Sequence, residues 1–168
     1  MGHLIQGTVV AAVMLLAGAA LAADQTVVGW VEQVRIYPGA LSVRAKVDTG
    51  AKTSSLNCDC IQTFQREGKP WVRFTVTNTQ GRSTSLERPV VREVIIKRHY
   101  GREQKRPVIR LGLCMAGVYK QTDVNLVDRS GFNYQMLIGR RFLQQDFIVN
   151  PSRTFLTKPA CPDGAGRR

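Results

Sequence analysis

From residue 41 to residue 47 apolar and polar side chains alternate without a break. Leu41, Val43, Ala45 and Val47 fall on one side, and Ser42, Arg44 and Lys46 on the other. A period of two puts every apolar side chain on one face of an extended chain, so this segment predicts a half-buried strand. Residues 27–36 predict an earlier strand, ended by Tyr37-Pro38-Gly39. Further strands are expected at 71–77, 83–90, 91–97, 108–114 and 118–127. Turn signals punctuate them at Asn78-Thr79-Gln80-Gly81, Tyr100-Gly101 and Asp128-Arg129-Ser130-Gly131. Helical periodicity is weak throughout, and the best helix is a turn or two at 140–145. Short strands at this spacing predict an all-β chain folded as a compact, mostly antiparallel barrel or sandwich. The small-residue, Pro-containing tail at 160–168 is expected to fray.

The first 23 residues change the picture of where the chain works. They contain no Lys, Arg, Asp or Glu, and from Val9 to Ala23 they are an unbroken apolar run. The run is shorter than the ~20 residues a membrane span needs. It ends in Ala20-Leu21-Ala22-Ala23, which resembles a signal-peptidase site. Residues 1–23 are therefore expected to be a signal peptide, and the protein periplasmic or secreted. The positive residues that usually precede such a run are missing, which leaves an uncleaved anchor as the alternative.

The chain has 168 residues, enough for one domain, here 24–159 followed by the tail. It carries 24 Lys+Arg against 12 Asp+Glu, a formal charge of +12. Such a charge is either a strongly solvated surface or an attraction to anionic material. Behind a signal peptide, cell-wall polymer, a membrane surface or an acidic polypeptide is expected before nucleic acid, and no nucleic-acid partner is predicted. The densest basic stretch, 97–106, reads as an exposed loop. The only histidines are His3 and His99, which excludes a histidine metal site and a Ser-His-Asp centre. Four cysteines, Cys58, Cys60, Cys114 and Cys161, are disulfide candidates in an exported chain. Cross-links from the Cys58/Cys60 pair to Cys114 and Cys161 are expected, clipping the tail to the body. A four-thiolate zinc site is the rival, but the spacing does not match the usual knuckles.

Candidate chemistry sits directly after the alternating strand, at Asp48-Thr49-Gly50. On spacing alone this is also a plain turn in which the carboxylate caps its own loop. A second block lies downstream: Met136-Leu137-Ile138-Gly139-Arg140-Arg141-Phe142-Leu143, an apolar run into Gly and then a short helix. Together, and in this order, the two blocks resemble the retropepsin-like aspartic proteases. More narrowly, A-K-V-D-T-G-A-K-T-S-S-L with D-R-S-G-F-N-Y-Q-M-L-I-G-R-R-F-L is similar to a bacterial family often labelled ATP-dependent zinc proteases, some of whose relatives accompany glutamate ligases.

The resemblance implies a single-lobe, closed β-barrel with one short C-terminal helix. It implies an aspartic endopeptidase in which Asp48, Thr49 and Gly50 are catalytic and Ala51, Ile138 and Gly139 support their loop. One D-T-G per chain implies a homodimer, with two Asp48 carboxylates sharing a proton across a water. No cofactor and no metal are expected. The chain has neither H-E-x-x-H nor a phosphate-binding G-x-x-x-x-G-K-[ST], so the zinc and ATP of the label do not carry over. Lys52 and Arg140, with Arg141, would suit a peptide or protein substrate that is acidic, or are ordinary surface charges. Asp48 and Gly139 are farther apart than the ~60 residues expected of viral members, so extra strands or loops intervene. Either the 78–82 hairpin or the basic loop would close over substrate, and the former is preferred here. The function from another class is a non-catalytic binding module that presents its basic face to cell-wall polymer or acidic polypeptide.

Overall fold

The computed structural model describes residues 24–96, 103–128, 131 and 133–162, without the side chain of Cys60. The expected signal peptide, the tip of the basic loop at 97–102, Arg129 and Ser130 of the last turn signal, and the tail from Asp163 lie outside them. Ten strands and one helical turn follow in order: β1 (Thr26–Tyr37), β2 (Leu41–Val47), β3 (Ser54–Asn57), β4 (Asp59–Arg66), β5 (Lys69–Thr77), β6 (Ser83–Ile96), β7 (Gln104–Met115), β8 (Val118–Val127), β9 (Met136–Ile138), α1 (Arg140–Leu143) and β10 (Phe147–Thr154).

Six strands close a ring in the order β1-β2-β9-β3-β8-β7, with β7 returning to β1. This is the closed barrel the resemblance implies, and one of the two forms, barrel or sandwich, that the patterning left open. All four apolar residues of β2 point inward and are buried, as are Val34, Ile36, Leu56, Leu111, Leu126 and Phe142. Closure leaves the ring without free edges. Three added strands, β6, β5 and β4, extend from β7, and β10 lies parallel on β1. Parallel pairs β2–β9 and β3–β8 bring segments distant in sequence to one end of the barrel.

Two expected strands, 83–90 and 91–97, are one. Pro89 and the register shift between Val90 and Arg92 mark where β6 leaves β5 and joins β7. A change of partner within one strand looks like a boundary in sequence. The helix is a single turn, at the short end of the turn or two expected at 140–145. The 78–82 hairpin is placed at the wrong end for a closing flap. Asn78 donates from Nδ2 to the Ser42 carbonyl at 3.1 Å and accepts the Gln80 and Arg82 amides at 3.0 Å. That ties the hairpin to the start of β2, about 20 Å along the strand from Asp48.

The segment after β10 is strapped to the barrel. The Phe155 amide donates to the Val31 carbonyl at 2.8 Å. The fully buried Glu32 carboxylate accepts the amides of Gly29 (2.7 Å), Leu156 (2.9 Å) and Thr157 (3.2 Å), and the Thr157 hydroxyl (3.1 Å). Cys161 is disulfide-bonded to Cys114, with Cα atoms 6.1 Å apart. The tail is therefore clipped to the body as expected, and Cys161 is buried where fraying was expected, while Ala160 beside it is exposed. The expected pairing of Cys58 is corrected: it is a free, buried thiol. Asn57 pairs with Val127 at one end of β8, and Cys114 pairs with Tyr119 at the other. The separation is about 26 Å along the strand, far beyond the ~7 Å limit of a disulfide.

Burial pushes the Cys58 thiol up from 9.0 to about 12. Native protein should therefore resist thiol alkylation at Cys58 up to pH 9, and react there only after denaturation. An ionised thiolate is favoured only in the unfolded chain, so stability should fall as pH rises from about 9 towards 12. Denaturant melts of wild type and Cys58→Ala across that range check this: the variant should lose less stability.

Candidate active site

Asp48 stands where β2 leaves the barrel. Its amide donates to the Ile138 carbonyl at 2.9 Å, which extends the β2–β9 pairing by one bond. The side chain is half-buried, while Thr49 and Gly50 are exposed. Carboxylate Oδ1 accepts the Gly50 amide at 2.9 Å and the Ala51 amide at 3.3 Å. The plain-turn property foreseen from D-x-G is thus present: the carboxylate caps its own loop. The same two bonds fix its orientation and leave Oδ2 for other work.

The loop is gripped from behind by the Gly139 segment. The Arg140 amide donates to the Ala51 carbonyl (2.9 Å), and the Arg141 amide to the Lys52 carbonyl (3.1 Å). The Gly139 amide reaches the buried Ser54 hydroxyl at 3.2 Å, and Asn125 holds the Ser54 carbonyl at 2.8 Å. A Cβ at Gly139 would lie 2.6 Å from the Thr53 carbonyl carbon and 3.0 Å from the Ala51 oxygen. Only glycine lets these two backbones meet. Ile138 is fully buried beneath the loop.

Arg140 supplies a contact that sequence alone did not reveal. Its Nη1 donates to the Thr49 and Gly50 carbonyls, each at 2.8 Å. These hydrogen bonds of Arg140 are with the loop, and the residue also borders an open recess with Thr49, Leu143 and Phe147. Arg141 reaches Asp123 at 3.4 Å, alongside Arg92 at 3.0 Å and Arg110 at 3.4 Å. Asp123 thereby anchors α1 to β6, β7 and β8. Ser54, Asn125 and Asp123 were not among the expected site residues. No charge or spacing signal marks them, because their roles come from pairing across strands.

Beside the loop lies a recess of about 570 Å³, lined by Lys52, Thr53, Ile96, Arg106, Asn125 and Asp128 among others. Ile96 ends β6 and Arg106 lies near the start of β7, so the β6–β7 hairpin, which carries the basic loop, rises at the Asp48 end of the barrel. Lys52 is exposed at the rim. Arg106 is held at Gln104 (2.8 and 3.1 Å) and Asn125 (3.3 Å). Among the described residues no cluster of His, Cys, Asp and Glu could hold a metal ion. Gly139→Ala should destabilise the chain by about 2 kcal/mol or more, since the clash is with backbone. Urea unfolding of the variant beside wild type measures it.

Residues 27–160 match the RimB-like family model, described as retropepsin-like aspartic endopeptidase RimB. A probable alpha-L-glutamate ligase of Shewanella pealeana is 34% identical over 70% of this chain and 26% of its own length. One from Desulfotalea psychrophila is 37% identical over 68% of this chain and 25% of its own. The chain thus spans about a quarter of the length of these curated relatives. The crystal structure of Lpg0085, a Legionella pneumophila protein of unknown function (DUF785), superposes with a TM-score of 0.69. It is 34% identical and covers 80% of this chain and all of its own. With its two motif blocks meeting in space on a closed barrel, and a family match that runs nearly from β1 to the disulfide, this chain belongs to the RimB-like family of retropepsin-like proteins.

Proposed function

We propose that the protein is an aspartic endopeptidase that works as a two-fold homodimer, each chain contributing one Asp48. The observation that carries this reading is the loop itself: a half-exposed carboxylate, oriented by two backbone amides, in a loop gripped by Gly139 and Arg140 whose residues 51–53 line a recess. A turn that served only to reverse the chain would need no such support.

The chemistry follows from placing two such carboxylates together. Like charges that close cannot both ionise, so the pair holds one proton. The ionised Asp48 takes a proton from water as the water oxygen attacks the scissile carbonyl. The partner's Asp48, protonated, gives its proton to the carbonyl oxygen. Collapse of the tetrahedral intermediate then breaks the C–N bond as the leaving nitrogen is protonated. Thr49, exposed in one chain, would brace the opposite loop.

Substrate class is read from charge. Lys52 and Arg106 line the recess, and a peptide bearing carboxylates would meet complementary charge there. The kinship with chains named probable alpha-L-glutamate ligases points the same way, since an enzyme that joins glutamate makes an acidic product. The tail disulfide and the apolar run at 9–23 support action outside the cytoplasm.

Asp48→Asn should fold and melt as wild type does while cleavage of a glutamate-rich peptide falls by at least about 10³-fold, measured by mass spectrometry from pH 3 to 8. Cleavage unchanged in the variant would overturn the reading. Arg140→Ala should lower kcat about tenfold or more with little change in KM, because Arg140 holds the loop. A raised KM with kcat intact would instead make it a substrate contact.

A further inference from the structure

Strand β6 changes partner halfway along, and the change leaves part of one edge open. Up to Pro89 it pairs with β5, where Trp71 is the last partner. From Val90 onward it pairs with β7 on its other side. Prolines stop the first pairing, since neither Pro89 on β6 nor Pro70 on β5 has an amide to give. Beyond them, the edge of β6 that faced β5 has no partner strand among the described residues. A crevice of about 500 Å³ lies along this edge. Four consecutive residues of β6, 90–93, line it, and so do three consecutive residues of β4, 63–65. Successive side chains of a strand point to opposite faces, so a cavity that touches four in a row lies against the strand's edge. The crevice is thus a gap between β6 and the β4–β5 hairpin, opened where the strands part. That hairpin is part of the extra length between Asp48 and Gly139.

An open edge presents alternate amides and carbonyls, and an extended chain is what satisfies them. The walls choose its chemistry. Phe64, Pro70, Val91 and Pro107 make the crevice largely apolar. Val91, and Ile95 farther along the same strand, are 51% and 53% exposed, so the apolar lining is uncovered. Arg92 is turned to Asp123 at 3.0 Å. Glu93 is then the charge left in the crevice, and it repels a glutamate-rich segment. The chain that fits is extended, neutral and apolar.

The course of β6 shows where that chain leads. Ile96, its last residue, lines the recess beside the Asp48 loop. From Val91 to Ile96 is about 17 Å along the strand, so a peptide paired with the open edge passes from crevice to recess in about five residues. Resting on the peptidase reading above, we propose that the crevice is a distal subsite for the substrate. It takes a neutral, apolar segment about five residues from the acidic stretch and holds it by strand addition to the open edge of β6. The recess, with Lys52 and Arg106, reads charge; the crevice reads an apolar strand at a fixed distance from it.

Three peptides test this: a glutamate-rich core, and the same core with Thr-Val-Thr-Val-Thr added before it or after it. One of the two extended peptides should be cleaved with a KM at least about tenfold below that of the core. Thr63→Trp, which fills the crevice, and Val91→Asp, which charges it, should each erase that gain while the core is cut as by wild type. Both residues are exposed, so both variants should melt as wild type does. Equal KM for all three peptides, or a gain that survives both substitutions, would overturn the proposal. Fluorescence anisotropy of the labelled extended peptides on Asp48→Asn separates this site from the peptidase reading. Binding of one of them that Thr63→Trp weakens about tenfold, with no cleavage by the wild-type chain, would overturn the peptidase and uphold the crevice as a peptide site. Binding no tighter than that of the core would overturn the crevice.

Discussion

The backbones of residues 51–53 and 139–141 lie so close that no side chain fits between them, and the candidate site depends on that approach. Three amide-to-carbonyl bonds, from Asp48 to Ile138, Arg140 to Ala51 and Arg141 to Lys52, join two segments 91 positions apart, Asp48 to Gly139. The Cβ distances at Gly139 make glycine a steric requirement there. Once the segments meet, the rest follows. The Arg140 guanidinium lies over the Thr49 and Gly50 carbonyls, Ser54 caps the Gly139 amide, and Asp123 draws α1 onto the barrel through Arg141. The barrel supplies a stiff frame; the glycine contact turns one end of it into a site.

On the proposed reading, what one chain builds is half of a symmetric centre. Its carboxylate is oriented and its loop is rigid, yet Thr49 and Gly50 face outward. The charge distribution suits completion by a like chain. Arginines are gathered around single carboxylates, Arg92, Arg110 and Arg141 at Asp123, and Arg66 and Arg73 at Glu87. The latter pair holds the Glu87 carboxyl below its usual range, Arg66 first and then Arg73. Residues 25–31 and 147–152, beyond Asp48, contain no charged side chain, although Arg140 borders the recess beside them. A protein with this much net charge can associate with itself only where repulsion is weak.

Much of this was legible in the sequence, and the exceptions share a cause. Strand β2 declared itself because one of its faces is core and the other solvent, so burial imposed strict alternation. Asp48 and Gly139 declared themselves because each sits where the backbone needs that residue type. Strand β10 was hidden because Pro151 interrupts it and, among the described residues, only one of its edges is paired. Strand β3 was hidden because it is only four residues long and opens on two serines, of which Ser54 serves the loop rather than a hydrophobic face. The partner change at Val90 disguised one strand as two. Cysteine pairing depended on which end of β8 each cysteine reached, a property of register that spacing does not encode. Arg140 shows the same limit: its position could be named, but only the fold shows its guanidinium turned inward onto the loop.

The most direct test of a shared Asp48 centre is stoichiometry. A glutamate-rich peptide carrying a statine-type hydroxyl in place of the scissile bond mimics the tetrahedral intermediate between two carboxylates. Titrated calorimetrically into the oxidised protein, it should saturate at one peptide per two chains, and Asp48→Asn should not bind it. Saturation at one peptide per chain, or equal binding by the variant, would contradict a centre made from two copies of Asp48.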